Sequence, residues 1–155
     1  MTNNLAILLL GSNIDPAFNI KKALELLKCS LPITRTSNIW ITEAVGNKGP
    51  DFLNSALEVK TSLSADQLKK KIISPTEIAL GRIRTTDKFA PRTIDIDIII
   101  YNGKVLDVHL WSKVFIAVPV SEIVPYLINH STGETLIEAA EKLKSSAKAE
   151  LFKES

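Results

Sequence analysis

One run constrains this chain more than any other: Ile94-Asp95-Ile96-Asp97-Ile98-Ile99-Ile100-Tyr101. Its β-branched residues predict a strand. Read at period two, Ile94, Ile96, Ile98 and Ile100 share one face, and Asp95 and Asp97 share the other. Two carboxylates then stand side by side in an apolar segment, where repulsion and desolvation both oppose their ionisation. Something positive must compensate. Hard divalent cations favour carboxylate oxygens, and Mg²⁺ commonly takes one or two of them plus substrate phosphates. Arg82, Arg84 and Arg92 lie just upstream, and guanidinium forks match phosphate oxygens. Together these residues predict a phosphoryl-transfer site. An ordinary strand, with its Asp pair in solvent and the arginines as salt-bridge partners, accounts for the same residues equally well.

The remaining elements follow from pattern. Leu5 to Leu10 is apolar throughout and predicts a central strand covered on both faces. Gly11-Ser12-Asn13 is expected to end it, as a strand-to-helix turn or as a backbone cradle for phosphate. Asp15-Pro16 predicts a capped helix start, with Phe18, Ile20, Ala23, Leu24, Leu26 and Leu27 on its buried side. Ile33 to Ile41 is a second strand candidate near an edge, and Thr42 to Pro50 a functional loop. Phe52 to Thr61 predicts a third strand. Ser64 and Gln67 form a capping-box pattern for the next helix. Pro75 should kink or split that helix, the second piece ending at Gly81. Asn102-Gly103 is a hairpin signal, pairing Lys104 to Val108 back onto the Asp-bearing strand. Phe115 to Val118, a helical turn over Pro119 to Val124, a helix over Thr135 to Leu143 and a frayed tail complete the reading.

The order β-α-β-β-α-β predicts an α+β fold: a ferredoxin-like βαββαβ core with an antiparallel sheet and both helices on one face. The additional hairpin and the C-terminal helices would extend it. With 155 residues and no linker, one domain over 1–155 is expected. A charge of +2, from 19 basic and 17 acidic residues, argues against a nucleic-acid binder working by bulk electrostatics. Cys29 is the only cysteine, which excludes an internal disulfide and suits a reducing cytoplasm. The apolar run at 5–10 is too short to span a membrane, and no cleavable signal precedes it.

Several of these motifs resemble one family. Leu10-Gly11-Ser12-Asn13, Asp51-Phe52-Leu53-Asn54, Glu77 with Gly81-Arg82-Ile83-Arg84, and above all Pro91-Arg92-Thr93-Ile94-Asp95-Ile96-Asp97-Ile98 are similar to the motifs of 6-hydroxymethyl-7,8-dihydropterin pyrophosphokinases. The resemblance covers roughly residues 5 to 125. It implies transfer of pyrophosphate from ATP to the hydroxymethyl group of a reduced pterin, releasing AMP, on the way to folate. It implies that Asp95 and Asp97 hold two Mg²⁺ ions, that Arg82 and Arg92 are catalytic phosphate binders, and that Arg84 to Ala90 form a lid carrying Phe89. The nucleotide would also meet Glu77, Arg84 and Ile98. The pterin would stack on Phe52 and Phe115, with Asn54 reading its amide-like edge and Thr42 to Val45 completing the pairing. A segment shortened at 104–115 departs from the family, and His109 and Lys113 stand where it has a His and an Arg on the phosphates. The expected partners are ATP and the pterin, with no nucleic acid and no membrane, and the expected state is a monomer.

Three other readings remain open on the sequence. One is a related kinase for another flat heterocyclic alcohol. Another is a decayed paralogue or ferredoxin-like module that binds pterin or nucleotide without turnover. The third is a metal-dependent nuclease, which the near-balanced charge disfavours.

Overall fold

The computed structural model describes residues 3–47, 49–82 and 93–153. Seven strands form one sheet among the described residues: β1 (Asn4–Ser12), β2 (Ile33–Thr36), β3 (Trp40–Thr42), β4 (Phe52–Thr61), β5 (Asp95–Tyr101), β6 (Lys104–Val105) and β7 (Ala149–Leu151). Their order is β6-β5-β1-β4-β3-β7, with β2 also on β4. Every pairing is antiparallel. If β2 and β3 count as one strand, the core order is fourth-first-third-second, the ferredoxin-like order that the element pattern predicts.

The helices sort to two faces. α1 (Pro16–Ser30) and the stretch α2 (Ala65–Leu68), a π-helical turn (Lys69–Ile73) and α3 (Ser74–Ala79) lie on one side. Ile20, Ala23, Leu27, Leu68 and Ile73 pack there on Ala6, Leu8, Leu10, Leu53, Leu57 and Ile96. α4 (Val114–Ser121) and α5 (Leu136–Lys144) cover the other side. Their Ile116, Ala117, Val120, Leu136 and Ala140 meet Ile7, Leu9, Trp40, Ala56 and Ile99. β1 is buried from Ala6 onward because both layers need it.

Local chemistry explains the boundaries. Ser64 and Gln67 make the predicted capping box, and the structure adds a second one at α5, between Thr135 and Glu138. Pro75 has no N–H to give to residue 71, and the ladder widens into the π turn just before it. Gly81 ends the stretch at φ 79°. Asn102 and Gly103, at φ 49° and 79°, form the tight hairpin turn.

Six expectations need correction. Gly11 does not end β1, which continues through Ser12 and pairs with both neighbours. Asp15 makes no side-chain cap and is itself left-handed at φ 41°. Phe18 is 58% exposed, because the α1 stripe that meets the sheet is narrower than its apolar sequence. The predicted strand 33–41 is two strands, since the Ser37 hydroxyl accepts from Ala56 N and Asn38 turns to Glu122. Phe115 to Val124 is not a short run and a turn but mostly one helix, α4, with Pro119 inside it. The tail is not frayed: β7 pairs with β3, and Lys148 bridges to Asp51 at 2.7 Å.

The Asp-bearing strand carries one further difference. Ile100 pairs with Ile7 and Ile98 with Leu8, leaving Ile99 as an extra residue in a β-bulge. Ile94, Ile96 and Ile98 face the α1 layer as expected, but Ile99 and Ile100 both pack into the α4–α5 layer. Tyr101 takes the place expected of Ile100, and its hydroxyl donates to Leu63 O at 2.7 Å.

Candidate active site

Alternation brings the polar candidates to one end of one face. Along β1, Ala6, Leu8 and Leu10 point to the α1 layer and Ile7 and Leu9 to the α4–α5 layer, so Gly11 belongs to the second face. Along β4, Leu53 and Leu57 take the first face and Ala56 the second, which puts Asn54 and Phe52 with Gly11. Trp40 places Thr42 there too, and Ile99 places Asp95 and Asp97. The register joins these positions: Thr42 opposite Phe52, Asn54 opposite Gly11, Gly11 opposite Asp95 and Leu9 opposite Asp97. β3, β4 and β5 thus present Thr42, Phe52, Asn54, Asp95 and Asp97 in one row, with Gly11 of β1 between Asn54 and Asp95. Phe115, half-buried on α4, packs into the layer covering that face.

Asn54 is a buried amide in a strand, where such a group requires partners. Its Nδ2 donates to Thr42 Oγ1 at 2.7 Å, and both residues are buried. A 3₁₀ turn over Val45–Asn47 follows β3, with Gly46 at φ 77° and Val45 exposed. Phe52 is half-buried and leaves part of its ring accessible.

The acidic half of the row is crowded. Arg82 Nη1 donates to Asp95 Oδ1 at 2.5 Å and to Glu77 Oε2 at 2.7 Å. Burial alone would make the guanidinium easier to deprotonate, but the charges of Asp95 and Glu77 outweigh it and raise its pKa. Glu77 is buried and its Oε2 also accepts from Ile96 N at 2.9 Å, filling the edge of β5 that β6 leaves open. Among the described residues, Arg82 Nε and Thr93 Oγ1 are buried and without a partner.

Asp97 keeps contact with solvent, yet the protein around it removes much of its hydration. That desolvation, then the charges of Asp95, Glu77 and Asp107, pushes its carboxyl up to about 7, and a hydrogen bond with Asp95 adds to the shift. The two carboxylates are therefore close neighbours on one face of the strand. No group of three or more His, Cys, Asp or Glu side chains suited to a metal occurs among the described residues. Among the described residues the donor set is two adjoining carboxylates. That suits Mg²⁺, which keeps most of its coordination for water and phosphate oxygen.

Beyond the open edge of β5 lies a cleft of about 520 Å³. Ile73 and Lys69 form one wall, Leu106 and Val108 the other, with Ile98 and Asp97 between them. Ile98, expected to meet the nucleotide, lines this cleft. His109 and Lys113 do not line this cleft: both are exposed, and His109 N donates to Asp107 Oδ1 in the 3₁₀ turn Val108–Trp111. Arg84, Arg92, Phe89 and the expected lid at 84–90 lie outside the described residues. The sequence reading missed Asp107 and the walls at Lys69, Leu106 and Val108. Only the amphipathic helix and the hairpin signal pointed to them.

Comparison with known proteins gives the same motifs a context. The family model for 7,8-dihydro-6-hydroxymethylpterin-pyrophosphokinase (HPPK) matches residues 7–125. A Synechocystis protein named 2-amino-4-hydroxy-6-hydroxymethyldihydropteridine pyrophosphokinase is 31% identical, over 92% of this chain and 77% of its own. A Bacillus subtilis protein of the same name is 32% identical, over 84% of each chain. In solved structures, the Plasmodium falciparum HPPK-DHPS wild type aligns at TM-score 0.72 and 13% identity. The alignment takes in 93% of this chain and 45% of that one, so the likeness is to less than half of the larger protein. With the family match spanning most of the sequence, the chain belongs to the 7,8-dihydro-6-hydroxymethylpterin-pyrophosphokinase family of enzymes.

Proposed function

We propose that this enzyme transfers the β,γ-pyrophosphoryl group of ATP to the hydroxyl of 6-hydroxymethyl-7,8-dihydropterin, giving AMP and the pterin diphosphate, with Mg²⁺. The observation that carries this reading is the row across four strands. It sets a hydrogen-bonding amide and an aromatic ring, Asn54 and Phe52, within two strands of the Asp95–Asp97 pair. A flat heterocycle needs the first half and a polyphosphate the second.

In this reading the pterin lies on Phe52, against Phe115, with Asn54 and Thr42 on its hydrogen-bonding edge and Val45 beside it. Both faces are apolar and one edge is polar, as a bicyclic amide demands. The nucleotide occupies the cleft at the β5 edge, along Ile98, and extends its phosphates toward Asp95 and Asp97. Those two carboxylates would hold the metal, two ions in the full reading. When bound, Mg²⁺ would neutralise the phosphates and polarise the phosphoryl oxygens.

The alcohol oxygen forms a bond to the β-phosphorus and gives up its proton to water, the bond between that phosphorus and the α–β bridging oxygen breaks, and AMP leaves with the electron pair. The protein's own part is to bind and align. Arg82 keeps Asp95 in place and retains an unpartnered Nε. Arg92 and Arg84 are assigned to the phosphates on the strength of the motif, and His109 and Lys113 to an outer position there. Glu77 acts behind Arg82 and Ile96 rather than on the nucleotide. Residues 1–155 would serve as one catalytic unit, a monomer at work in the cytoplasm. Among the described residues no helix is long and apolar enough to cross a membrane.

The test is direct. The protein is mixed with ATP, Mg²⁺ and the hydroxymethyl pterin, and AMP and the pterin diphosphate are followed by chromatography. Equimolar AMP and product, requiring both metal and pterin, is the expected result. Folded protein that yields no AMP would overturn the proposal.

A further inference from the structure

Gly11 sits inside a central strand, opposite Asn54 on one side and Asp95 on the other. Glycine is a poor choice there. It packs nothing and loses more freedom on folding than any other residue, a cost of about 0.5–1 kcal/mol relative to alanine. The backbone does not require it, for Gly11 is not among the residues with positive φ. The requirement is space. A Cβ built on Gly11 would stand 3.0 Å from Asn54 Oδ1 and 3.7 Å from Phe52 Cδ2. Asn54 has nowhere to withdraw: it is 2% exposed, and its Nδ2 is held by Thr42 at 2.7 Å. A side chain at position 11 would therefore press on the amide, which would have to give by a few tenths of an ångström.

We infer that Gly11 is a positioning residue that determines specificity for the heterocycle: the side chain it lacks is the space in which the Asn54 carbonyl holds its orientation beside Thr42 and Phe52. The role rests on the pterin reading of that pocket. Gly11 acts through Asn54 and touches no reacting atom.

The test is a double-mutant cycle of Gly11→Ala with Asn54→Ser, whose shorter side chain leaves room for the added methyl. Pterin and Mg-ATP affinities are measured separately by calorimetry. Gly11→Ala alone should weaken pterin binding about tenfold or more and change Mg-ATP affinity less than twofold. In the Asn54→Ser background it should cost nothing further. Unchanged pterin affinity, or an equal loss in both backgrounds, would overturn the inference. If Gly11→Ala fails to fold, recovery of folding in the double variant supports it, and failure of both overturns it.

Failure of the pterin reading is seen separately, as a wild-type protein that binds no pterin. The ¹⁵N side-chain amide signals of Asn54 then decide. They should move in Gly11→Ala while those of Asn19 and Asn102 stay in place, and an unmoved Asn54 signal would sink the idea.

Discussion

Arg82 Nη1 lies 2.5 Å from Asp95 Oδ1 and links that carboxylate to Glu77. The same side chain is 11% exposed, so the link is made away from bulk water. Removing it leaves acidic groups facing one another without their common cation. Breaking a buried pair in this way costs about 3–5 kcal/mol. Arg82→Ala should lower the melting temperature of the metal-free protein and reduce turnover at least a hundredfold. Part of the thermal loss should return with Mg²⁺. A variant with wild-type stability and rate would mean that the ion pairs are incidental.

Asp97 sets a pH dependence of definite sign. Its carboxyl rises from an ordinary 3.8 in the unfolded chain to about 7 in the fold. A raised acid favours the native state below its unfolded pKa, and that contribution is lost as pH climbs through the folded value. The metal-free protein should therefore lose stability between about pH 4 and pH 7 relative to Asp97→Asn, in which this component is absent. Melting curves of the two proteins across that range give the comparison. Parallel curves would refute the shift.

The same carboxyl predicts proton release on metal binding. Below pH 7 it carries a proton that a cation must displace; above about pH 8 it does not. Mg²⁺ titrations at pH 6, in two buffers of different ionisation enthalpy, should give different heats. At pH 8.5 the heats should agree. Buffer-independent heats at both values would place the cation elsewhere.

Thr42 and Asn54 form one hydrogen-bonded unit, and Thr42→Val should act on the pterin alone. The loss of one buried acceptor costs about 1–3 kcal/mol, or roughly fivefold to a hundredfold in pterin affinity. Mg-ATP affinity should not change, and Thr42→Ser should restore most of the loss. Equal weakening toward both ligands would point to a general change in the sheet.

A control lies at the exposed start of α5, outside the residues assigned to the site. Thr135→Ala removes the capping box of α5 and should destabilise the fold by about 1 kcal/mol. KM for either substrate should stay unchanged, as measured by steady-state kinetics.

Much of this architecture was legible because its signals were local. The Ser64–Gln67 box, Pro75, and Asn102-Gly103 each act within four residues, and each did what its chemistry requires. The Asp95–Asp97 pair was equally legible, since alternation fixes its face from the N-terminal end of the strand. Ile100 was misplaced because a bulge depends on how β5 meets β1, which no local pattern encodes. The split of 33–41 and the pairing of β7 share that cause: each depends on partners far along the chain. Asp107 reaches the cleft through a hairpin whose depth the sequence does not state. Gly11 was read as punctuation, although a glycine inside a strand pattern also signals close approach.

The pairing of β7 with β3 has a consequence for how this protein behaves in a crowded solution. β3 carries Thr42, and without β7 its outer rim would be an open template for foreign strands. The three residues of β7 thus keep the candidate pocket from becoming a polymerisation surface, and the Lys148–Asp51 bridge helps to latch them. A protein cut at Ser146 would present its candidate pocket and a sticky edge on the same strand.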